Sequence, residues 1–309
     1  MLTINKHSET GLVTLNEPIE GCWISLVDPT SEEVARVQSL GIPLDYLTYP
    51  LDLDERARAE RENGELLIIF RIPINQGVSS DIPFISIPLG IVLTEKYFIT
   101  ICRQENDILM DFASGKMRGL STGKRNRFLL RILLSTAQKY LFYLREINKQ
   151  VDILEDKLQR STRNKEVLEL LKYEKSLTYF TTALKSNELL MERLQRSQMF
   201  KAYPDDEDLL EDVLTENQQA IEMVNISNNI LSSMMDAFAS IISNNLNGVM
   251  KFLASITIIL SIPTIIASFY GMNVRIPFEE HQFAFLIVIV ITLLIALPVV
   301  WIFYKRDWF

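Results

Sequence analysis

The sequence has few of the residues that zinc sites, disulfide frameworks and most catalytic centres require. Of its 309 residues, only two are cysteine and two are histidine. Cys22 and Cys102 are far apart and lack metal-ligand spacing, which argues against a disulfide framework and a zinc site and indicates a reducing compartment. His7 and His281 are isolated and are expected to be ordinary surface residues. The sequence has no Walker lysine, phosphate-binding glycine loop or nucleophile elbow, so it predicts no enzyme.

The sequence also lacks an excess of positive charge. Its formal net charge of −8 at pH 7 argues against nucleic-acid binding, which normally requires a basic patch. The negative charge is compatible with a cation-handling protein, and solubility alone also explains it. The first residues, which include Lys6 and Glu9, show no signal-peptide pattern. The large N-terminal region is therefore expected in the cytoplasm.

Two stretches near the C-terminus lack charge altogether. Residues 252–270 and 283–304 contain no Asp, Glu, Lys or Arg, and each has about the 20 residues that a helix needs to cross a bilayer. Two buried core helices are the alternative, but the two segments lie together at one end, which favours membrane spans. Lys251 precedes the first span, and Lys305 and Arg306 follow the second. Both termini are therefore expected on the cytoplasmic side of the inner or plasma membrane.

Residues 1–124 are predicted to form a mixed α/β domain. Alternation over residues 22–27 predicts a strand, and Thr30 and Glu33 form a capping box for a helix that extends to about Leu40. Apolar runs at residues 66–74, 84–93 and 96–102, separated by turn residues, predict strands of one sheet. The charged segment 52–60 is expected to form a helix or a loop before that sheet.

Glycine and proline are absent from residues 125–197. Apolar side chains recur there at helical spacing, which predicts a long helical hairpin within residues 125–203. The break between its two helices is expected near residues 161–164. The returning helix is expected to carry its apolar stripe on Leu168, Leu171, Leu177, Phe180, Leu184 and Leu189.

A third helix is predicted to start at Pro204, because a proline followed by four carboxylates suits the first turn of a helix. No glycine follows until Gly248 and no proline until Pro263. A helix continuous from Pro204 to Tyr270 is roughly 100 Å long, and only about 30 Å of that length is needed to cross the membrane. Its apolar seam, interrupted by Asn217, predicts packing in a bundle or coiled coil. Self-association is the natural way to bury such a stalk.

Hydroxyl side chains in the first span lie on one face of the helix. Thr257, Ser261, Thr264 and Ser268 are separated by four, three and four residues, and the stripe continues into Gly271. Toward the cytoplasm it is continued by Ala254, Met250 and Asn247. Two interpretations stay open: such a stripe joins two helices in a membrane, or it lines a water-filled pathway when identical chains assemble around an axis. The apolar Met250 and Leu253 near the cytoplasmic end are candidates for a hydrophobic gate.

The tripeptide Gly271-Met272-Asn273 closes the first span and lies a short loop before the second. In this position it resembles the signature of the CorA family of divalent-cation channels, whose usual ion is magnesium. The resemblance implies an α+β fold: an N-terminal α/β cytoplasmic domain, a long helical hairpin, and a very long stalk helix continuing into the first of two C-terminal transmembrane helices. It also implies a funnel-shaped homopentamer around one central pore.

The resemblance further implies roles for individual residues. Gly271, Met272 and Asn273 match the selectivity filter. The pore-lining and gate positions are Asn247, Met250, Leu253, Ser261, Thr264 and Ser268, to which the hydroxyl stripe adds Thr257. Relatives are closed by magnesium bound between neighbouring cytoplasmic domains, and Asp212 on the stalk falls at a matching place. Mg2+ is thus implied both as the transported and as the regulatory ion.

The chemistry of magnesium suits these residue types. Mg2+ gives up its waters reluctantly, so a fast channel is expected to hold the hydrated ion through neutral oxygens such as that of Asn273. A carboxylate there would bind the dication more tightly and slow its release. Glu279 and Glu280 in the outer loop are expected either to raise the local cation concentration or to be solvated loop acids. The membrane potential is sufficient to drive passive influx.

The predicted organisation assigns residues 1–124 to the α/β domain, 125–203 to the hairpin, 204–270 to the stalk helix with its span from about residue 250, 271–282 to the outer loop, 283–304 to the second span and 305–309 to a basic cytoplasmic tail. The expected partners are further copies of the chain, the bilayer and divalent cations.

A ZntB-like carrier of zinc, cobalt or nickel is the first alternative function, although such carriers usually have Gly-Val-Asn, with valine at the position of Met272 in this chain. A membrane-anchored coiled-coil scaffold or sensor is the second.

Overall fold

The computed structural model describes residues 1–8, 11–62, 64–115, 121–160, 164–197, 199–200, 203–273, 277, 282–306 and 308. Contacts divide the chain into two compact units, Met1–Ser233 and Met234–Phe309, and one long helix contributes residues to both.

A seven-stranded sheet forms the centre of the first unit. Its strands are β1 (Leu2–Ser8), β2 (Gly11–Leu15), β3 (Trp23–Val27), β4 (Arg58–Glu62), β5 (Glu65–Asn75), β6 (Phe84–Leu93) and β7 (Phe98–Cys102). Their order is β2-β1-β3-β7-β6-β5-β4, in which β3 and β7 are parallel and the other neighbours are antiparallel.

Helices cover both faces of this sheet. They are α1 (Ser31–Gln38), α2 (Leu44–Thr48), α3 (Asp107–Ala113), α4 (Arg125–Arg160), α5 (Asn164–Arg196) and α6 (Pro204–Tyr270), and a short 3-10 turn, Tyr49–Leu51, follows α2. One core cluster joins α1 and α2 to the sheet, and the other joins α3, α4, α5 and the start of α6 to its opposite face. The predicted sheet and the two long helices predicted to follow it are thus present in the first unit.

Strand β5 illustrates why the central strands are apolar along their whole length. Leu67 and Ile69 belong to the cluster of α1 and α2, whereas Ile68, Phe70 and Ile72 belong to the cluster of the longer helices. Successive side chains of a strand point to opposite faces, and here both faces are covered, so both sets must be apolar.

The predicted capping box at the start of α1 is confirmed. The Thr30 hydroxyl accepts a hydrogen bond from the Glu33 backbone N–H at 3.3 Å, and the Glu33 carboxylate accepts one from the Thr30 N–H at 2.9 Å. The latter bond is the main reason that the pKa of Glu33 lies below its usual value. The helix ends at Gln38, two residues before the predicted Leu40.

The segment 52–60 contains no helix. Its last residues begin strand β4 at the edge of the sheet, where Arg58 forms ion pairs with Glu55 and Glu60. Charged residues are common on edge strands because they oppose pairing with another chain. Strands β1 and β2 were likewise absent from the prediction, since their polar residues interrupt any apolar run.

The returning helix α5 buries a different stripe from the predicted one. Leu177, Phe180 and Leu184 are buried as expected, but Leu168 and Leu189 are each 61% exposed. The buried residues recur at helical spacing along one face, at positions 170, 173, 176, 177, 180, 183, 184, 187, 190, 191 and 194. The two exposed leucines lie off this face, so their prediction as packing residues was wrong.

Two contacts in the first unit constrain its packing closely. A Cβ atom added to Gly90 of β6 would lie 2.1 Å from Cγ of Pro50, so this close approach leaves no room for a side chain. At the start of α3, the Asp107 carboxylate accepts hydrogen bonds from Lys139 and Tyr143 of α4, each at 2.8 Å. The bond from Lys139, followed by that from Tyr143, lowers the pKa of Asp107.

The second unit contains the last part of α6 and helix α7 (Ala284–Lys305). Within the described residues these are the two helices that are long and apolar enough to cross a membrane.

Candidate functional site

Helix α6 positions most of the predicted site residues. It runs through 67 residues without a break, and Pro263 lies inside it. Asn247, Met250 and Leu253 are exposed on the part of α6 that precedes the hydroxyl stripe, with Met250 59% and Leu253 53% exposed. The apolar side chains of Met250 and Leu253 are therefore mostly exposed in a single chain.

The hydroxyl stripe lies on a face of α6 that is mostly exposed within the described residues. Thr257, Thr264 and Ser268 are exposed, and Ser261 is half-buried. At 100° per residue these four positions lie within about 60° of one another around the helix.

The covered face of the same helical segment lies on the opposite side. Its half-buried positions are Ile259, Ile262, Ile266 and Tyr270, and Ser255 is fully buried. These positions lie about 140–220° around the helix from Thr257, whereas the half-buried Ile256 and Ser261 lie about 100° and about 40° from it. Burial of α6 within one chain is therefore greatest on the side away from the hydroxyl stripe, and Ser261 is partly covered.

Three hydroxyl groups of the stripe donate to the backbone of their own helix. Thr257 Oγ1 donates to the Leu253 carbonyl at 2.8 Å, Thr264 Oγ1 donates to that of Leu260 at 3.0 Å, and Ser261 Oγ donates to that of Ile258 at 2.8 Å. A hydroxyl has one proton and two lone pairs, so each of these oxygens still offers acceptor capacity on its outer side. The face thus presents hydrogen-bond acceptors and no charge.

The end of α6 leads directly into the tripeptide. The Gly271 N–H donates to the carbonyls of Ala267 at 3.0 Å and Ser268 at 3.2 Å, and the Met272 N–H donates to that of Phe269 at 3.2 Å. The carboxyl end of a helix carries a partial negative charge, which favours cations. The first two residues of the tripeptide are therefore attached to the negative end of the helix, which attracts a dication.

The backbone at Gly271 does not require glycine. Its φ angle lies outside the left-handed region, and an added Cβ would lie 3.4 Å from the Ala267 carbonyl oxygen and 3.6 Å from that of Ser268. Those are ordinary or slightly tight contacts, so one chain could accommodate alanine here. The absence of a side chain thus has no explanation in the fold of a single chain.

The remaining predicted residues lie at scattered places. Met272 is 53% exposed, and Asn273 is exposed beside it. Asp212 is exposed on the first third of α6. Glu279 and Glu280 lie outside the described residues. In the part of the chain that the structure describes, no three His, Cys, Asp or Glu side chains come together as a metal-binding group.

The acidic start of α6 has a partner that the sequence did not reveal. Arg127 of α4 donates to Asp206 at 2.6 Å and to Asp205 at 3.2 Å. Asp206 is only 4% exposed, and its hydrogen bond is the main reason that the pKa of Arg127 is raised. These two acids therefore tie α6 to α4, and Arg127 is the residue that the sequence analysis missed.

Comparison with known proteins extends across almost the whole chain. The cobalt/magnesium transport protein CorA of Methanocaldococcus jannaschii is 29% identical over 297 residues, which cover 93% of this chain and 90% of that protein. The complete structure of the CorA magnesium transporter from the same organism has a TM-score of 0.86 at 25% identity and covers 100% of this chain and 99% of that one. The predicted fold class is thereby confirmed.

A more distant structure shows a similar fold. The ZntB cytoplasmic domain from Vibrio parahaemolyticus has a TM-score of 0.60 at 12% identity and covers 78% of this chain and 98% of that one. The model of the family described as CorA-like Mg2+ transporter protein matches residues 20–306. The chain therefore belongs to the CorA-like Mg2+ transporter family, whose members carry divalent cations across membranes.

Proposed function

We propose that this protein is a homopentameric channel that conducts hydrated Mg2+ passively into the cell. The observation that carries the proposal is the open hydroxyl face of α6, which lies opposite the covered face and leads into Gly271-Met272-Asn273. Five such faces around one axis would surround a water-filled path with neutral oxygen atoms.

The orientation of the hydroxyl groups suits a hydrated cation. Waters bound to a dication point their hydrogen atoms outward, so the wall of the path must accept hydrogen bonds. Thr257, Ser261 and Thr264 donate their own protons to the helix and keep acceptor capacity on the outer side. Since Mg2+ loses its waters reluctantly, a wall that binds the hydration shell conducts it without that cost.

We assign the tripeptide to the outer selectivity filter. Asn273 offers a neutral carboxamide oxygen, Gly271 offers its carbonyl without a side chain in front of it, and the end of α6 adds its partial negative charge. Neutral ligands leave the dication free to depart, as conduction requires. Glu279 and Glu280 are proposed to raise the cation concentration outside the filter.

The proposed orientation places residues 1–249 and 305–309 in the cytoplasm and residues 271–282 outside. A potential of about 100 mV across the membrane is worth roughly 2.3 kcal/mol per elementary charge, and twice that for a dication. Influx then needs no ATP.

We propose that cytoplasmic Mg2+ closes the channel by binding between neighbouring chains. Asp212 is exposed on α6, where a carboxylate from one chain could meet an acid from the next. Met250 and Leu253, exposed in one chain, would form the apolar constriction that closes by losing its water.

The decisive experiment measures Mg2+ uptake into proteoliposomes under an inside-negative potassium diffusion potential. Asn273→Ala should reduce Mg2+ uptake relative to K+ leak by about tenfold or more, because a hydrogen bond to a charged group is worth about 1.5–3 kcal/mol. Asn16→Ala, an exposed asparagine of the first unit, is the matched control and should conduct like the wild type.

The same assay separates the alternatives. Uptake equal to that of protein-free liposomes would support a membrane-anchored scaffold. Zinc uptake that exceeds magnesium uptake and depends on a proton gradient would support a ZntB-like carrier, and cobalt or nickel is tested in the same way.

A further inference from the structure

A groove on the first unit collects positive charge on an otherwise acidic chain. This α5 groove lies between the exposed face of α5 and the segment before β4, and its volume is about 720 Å3. Among the described residues, Arg56, Arg71, Lys185 and Arg193 line it together with the carboxylate of Asp54. The chain as a whole carries a net charge of −8. The charge of this groove is therefore opposite in sign to that of the whole chain.

Arg71 supplies a positive charge at the base of the groove. Its guanidinium donates to the carbonyls of Leu53 at 3.1 Å and Glu55 at 2.7 Å, and to the Ser86 hydroxyl at 3.2 Å. These acceptors are neutral, so they fix the orientation of the guanidinium and leave its charge in place. An arginine keeps that charge in proteins, and a partly buried charge is costly unless an opposite charge approaches it.

The backbone of Arg71 is held as firmly as its side chain. Asn187 of α5 accepts from the Arg71 N–H and donates to the Arg71 carbonyl, both at 2.8 Å, and the Tyr140 hydroxyl donates to the same carbonyl at 3.2 Å. Strand β5 and helices α4 and α5 are thereby joined at this residue. The cation is therefore preorganised, which lowers the cost of binding an anion.

The other cations lie on flexible side chains at the rim. Arg56, Lys185 and Arg193 are exposed, and within the described residues no ion pair includes them or Arg71. They are free to close on a ligand with several negative charges. A single monovalent anion would satisfy only one of the four.

An aromatic ring and an exposed leucine lie in the same groove. Tyr179 is 45% exposed and Leu189 is 61% exposed, and both line the groove from α5. A flat apolar surface beside clustered cations suits a ligand that has a planar base at one end and phosphates at the other. The groove volume falls within the range of sites that hold such molecules.

We propose that the α5 groove binds a nucleoside polyphosphate of the ATP or ADP type. Arg71, Lys185 and Arg193 hold the phosphates, Arg56 closes on them, and Tyr179 stacks on the base. One turn before Lys185, Thr181 of α5 accepts a hydrogen bond from Asn228 of α6 at 3.0 Å. The ligand therefore sits on a helix that contacts the long helix α6, and the residues that hold it are distinct from those of the proposed cation pathway.

The test is a titration of the full-length protein in detergent with ATP, by calorimetry, both in EDTA and at saturating Mg2+. We expect saturable binding that weakens about tenfold for each cation removed, in Lys185→Gln and Arg193→Gln. Lys165→Gln removes the same charge from an exposed position of α5 outside the groove and should bind ATP like the wild type.

Two further probes test the nucleoside part. Tyr179→Ala should weaken ATP binding and leave the affinity for inorganic tripolyphosphate unchanged. If tripolyphosphate binds as tightly as ATP and Tyr179→Ala changes neither, the base site is refuted. The whole proposal is overturned if ATP shows no saturable binding up to millimolar concentration, or if Lys185→Gln and Lys165→Gln bind it equally well.

Discussion

Replacing threonine by valine on the open face of α6 tests whether its hydroxyl groups contact the hydrated ion. Thr257→Val and Thr264→Val keep the volume and the β-branched shape of the side chain, so the helix is expected to form as before. What disappears is one oxygen acceptor at each position. The variants therefore change the chemistry of the face and leave its shape nearly constant.

The expected loss of flux follows from the hydrogen bonds that are removed. A hydrogen bond between neutral groups contributes about 0.5–1.5 kcal/mol net. If two of the five proposed copies contact the hydration shell at a time, the barrier at each ring rises by about 1–3 kcal/mol, which slows conduction roughly 5- to 150-fold.

Helix α7 provides the matched control. Thr292 Oγ1 donates to the Val288 carbonyl at 2.8 Å, the same local bond that Thr257 makes on α6. Thr292→Val therefore removes the same local hydrogen bond from its own helix, and this variant should conduct Mg2+ like the wild type. Uptake into proteoliposomes, followed with a magnesium-sensitive dye, compares the three variants at equal protein. Wild-type flux in both α6 variants, or an equal loss in Thr292→Val, would refute a hydroxyl-lined pathway.

Three other changes test separate parts of the molecule. Asp212→Ala should keep the channel open at millimolar internal Mg2+, and unchanged currents in patch-clamp recordings would show that Asp212 is not part of the regulatory Mg2+ site. Gly90→Ala should lower the free energy of unfolding by about 1–3 kcal/mol or more in denaturant titrations, because its Cβ would overlap Pro50; wild-type stability would contradict that close approach. The lowered pKa of Asp107 means that its contribution to stability is present above the unfolded pKa of about 3.9 and is lost as the pH falls through the folded value. The difference in melting temperature between the wild type and Asp107→Asn should therefore be larger at pH 6 than at pH 3, and a constant difference would speak against this account.

Several elements were predictable from the sequence because their causes are local. The capping box needs only Thr30 and Glu33, three residues apart. The long helices follow from the absence of glycine and proline together with a helical period, and α6 indeed continues to Tyr270. The hydroxyl stripe and the tripeptide were also visible, since residues three and four apart on one helix share a face.

Other features depend on contacts between distant residues and were missed. The prediction for α5 placed Leu168 and Leu189 on the packing face, but its neighbours select a face that excludes both. Edge strands such as β1 and β4 contain polar residues, so no apolar run marks them. Arg71 did leave a signal, because it interrupts the apolar run of β5, but only the fold shows which carbonyls orient it.

The sequence by itself determined that the chain has two charge-free helical spans, a stalk helix without a break and a polar stripe that meets Gly271-Met272-Asn273. Spacing along one helix is enough to establish such features. The tertiary structure decided that the stripe lies opposite the covered face of α6, that Arg127 ties the acids of α6 to α4, and that Arg71 meets Lys185 and Arg193 around one groove. Those arrangements join residues that are far apart in the chain, and packing alone brings them together.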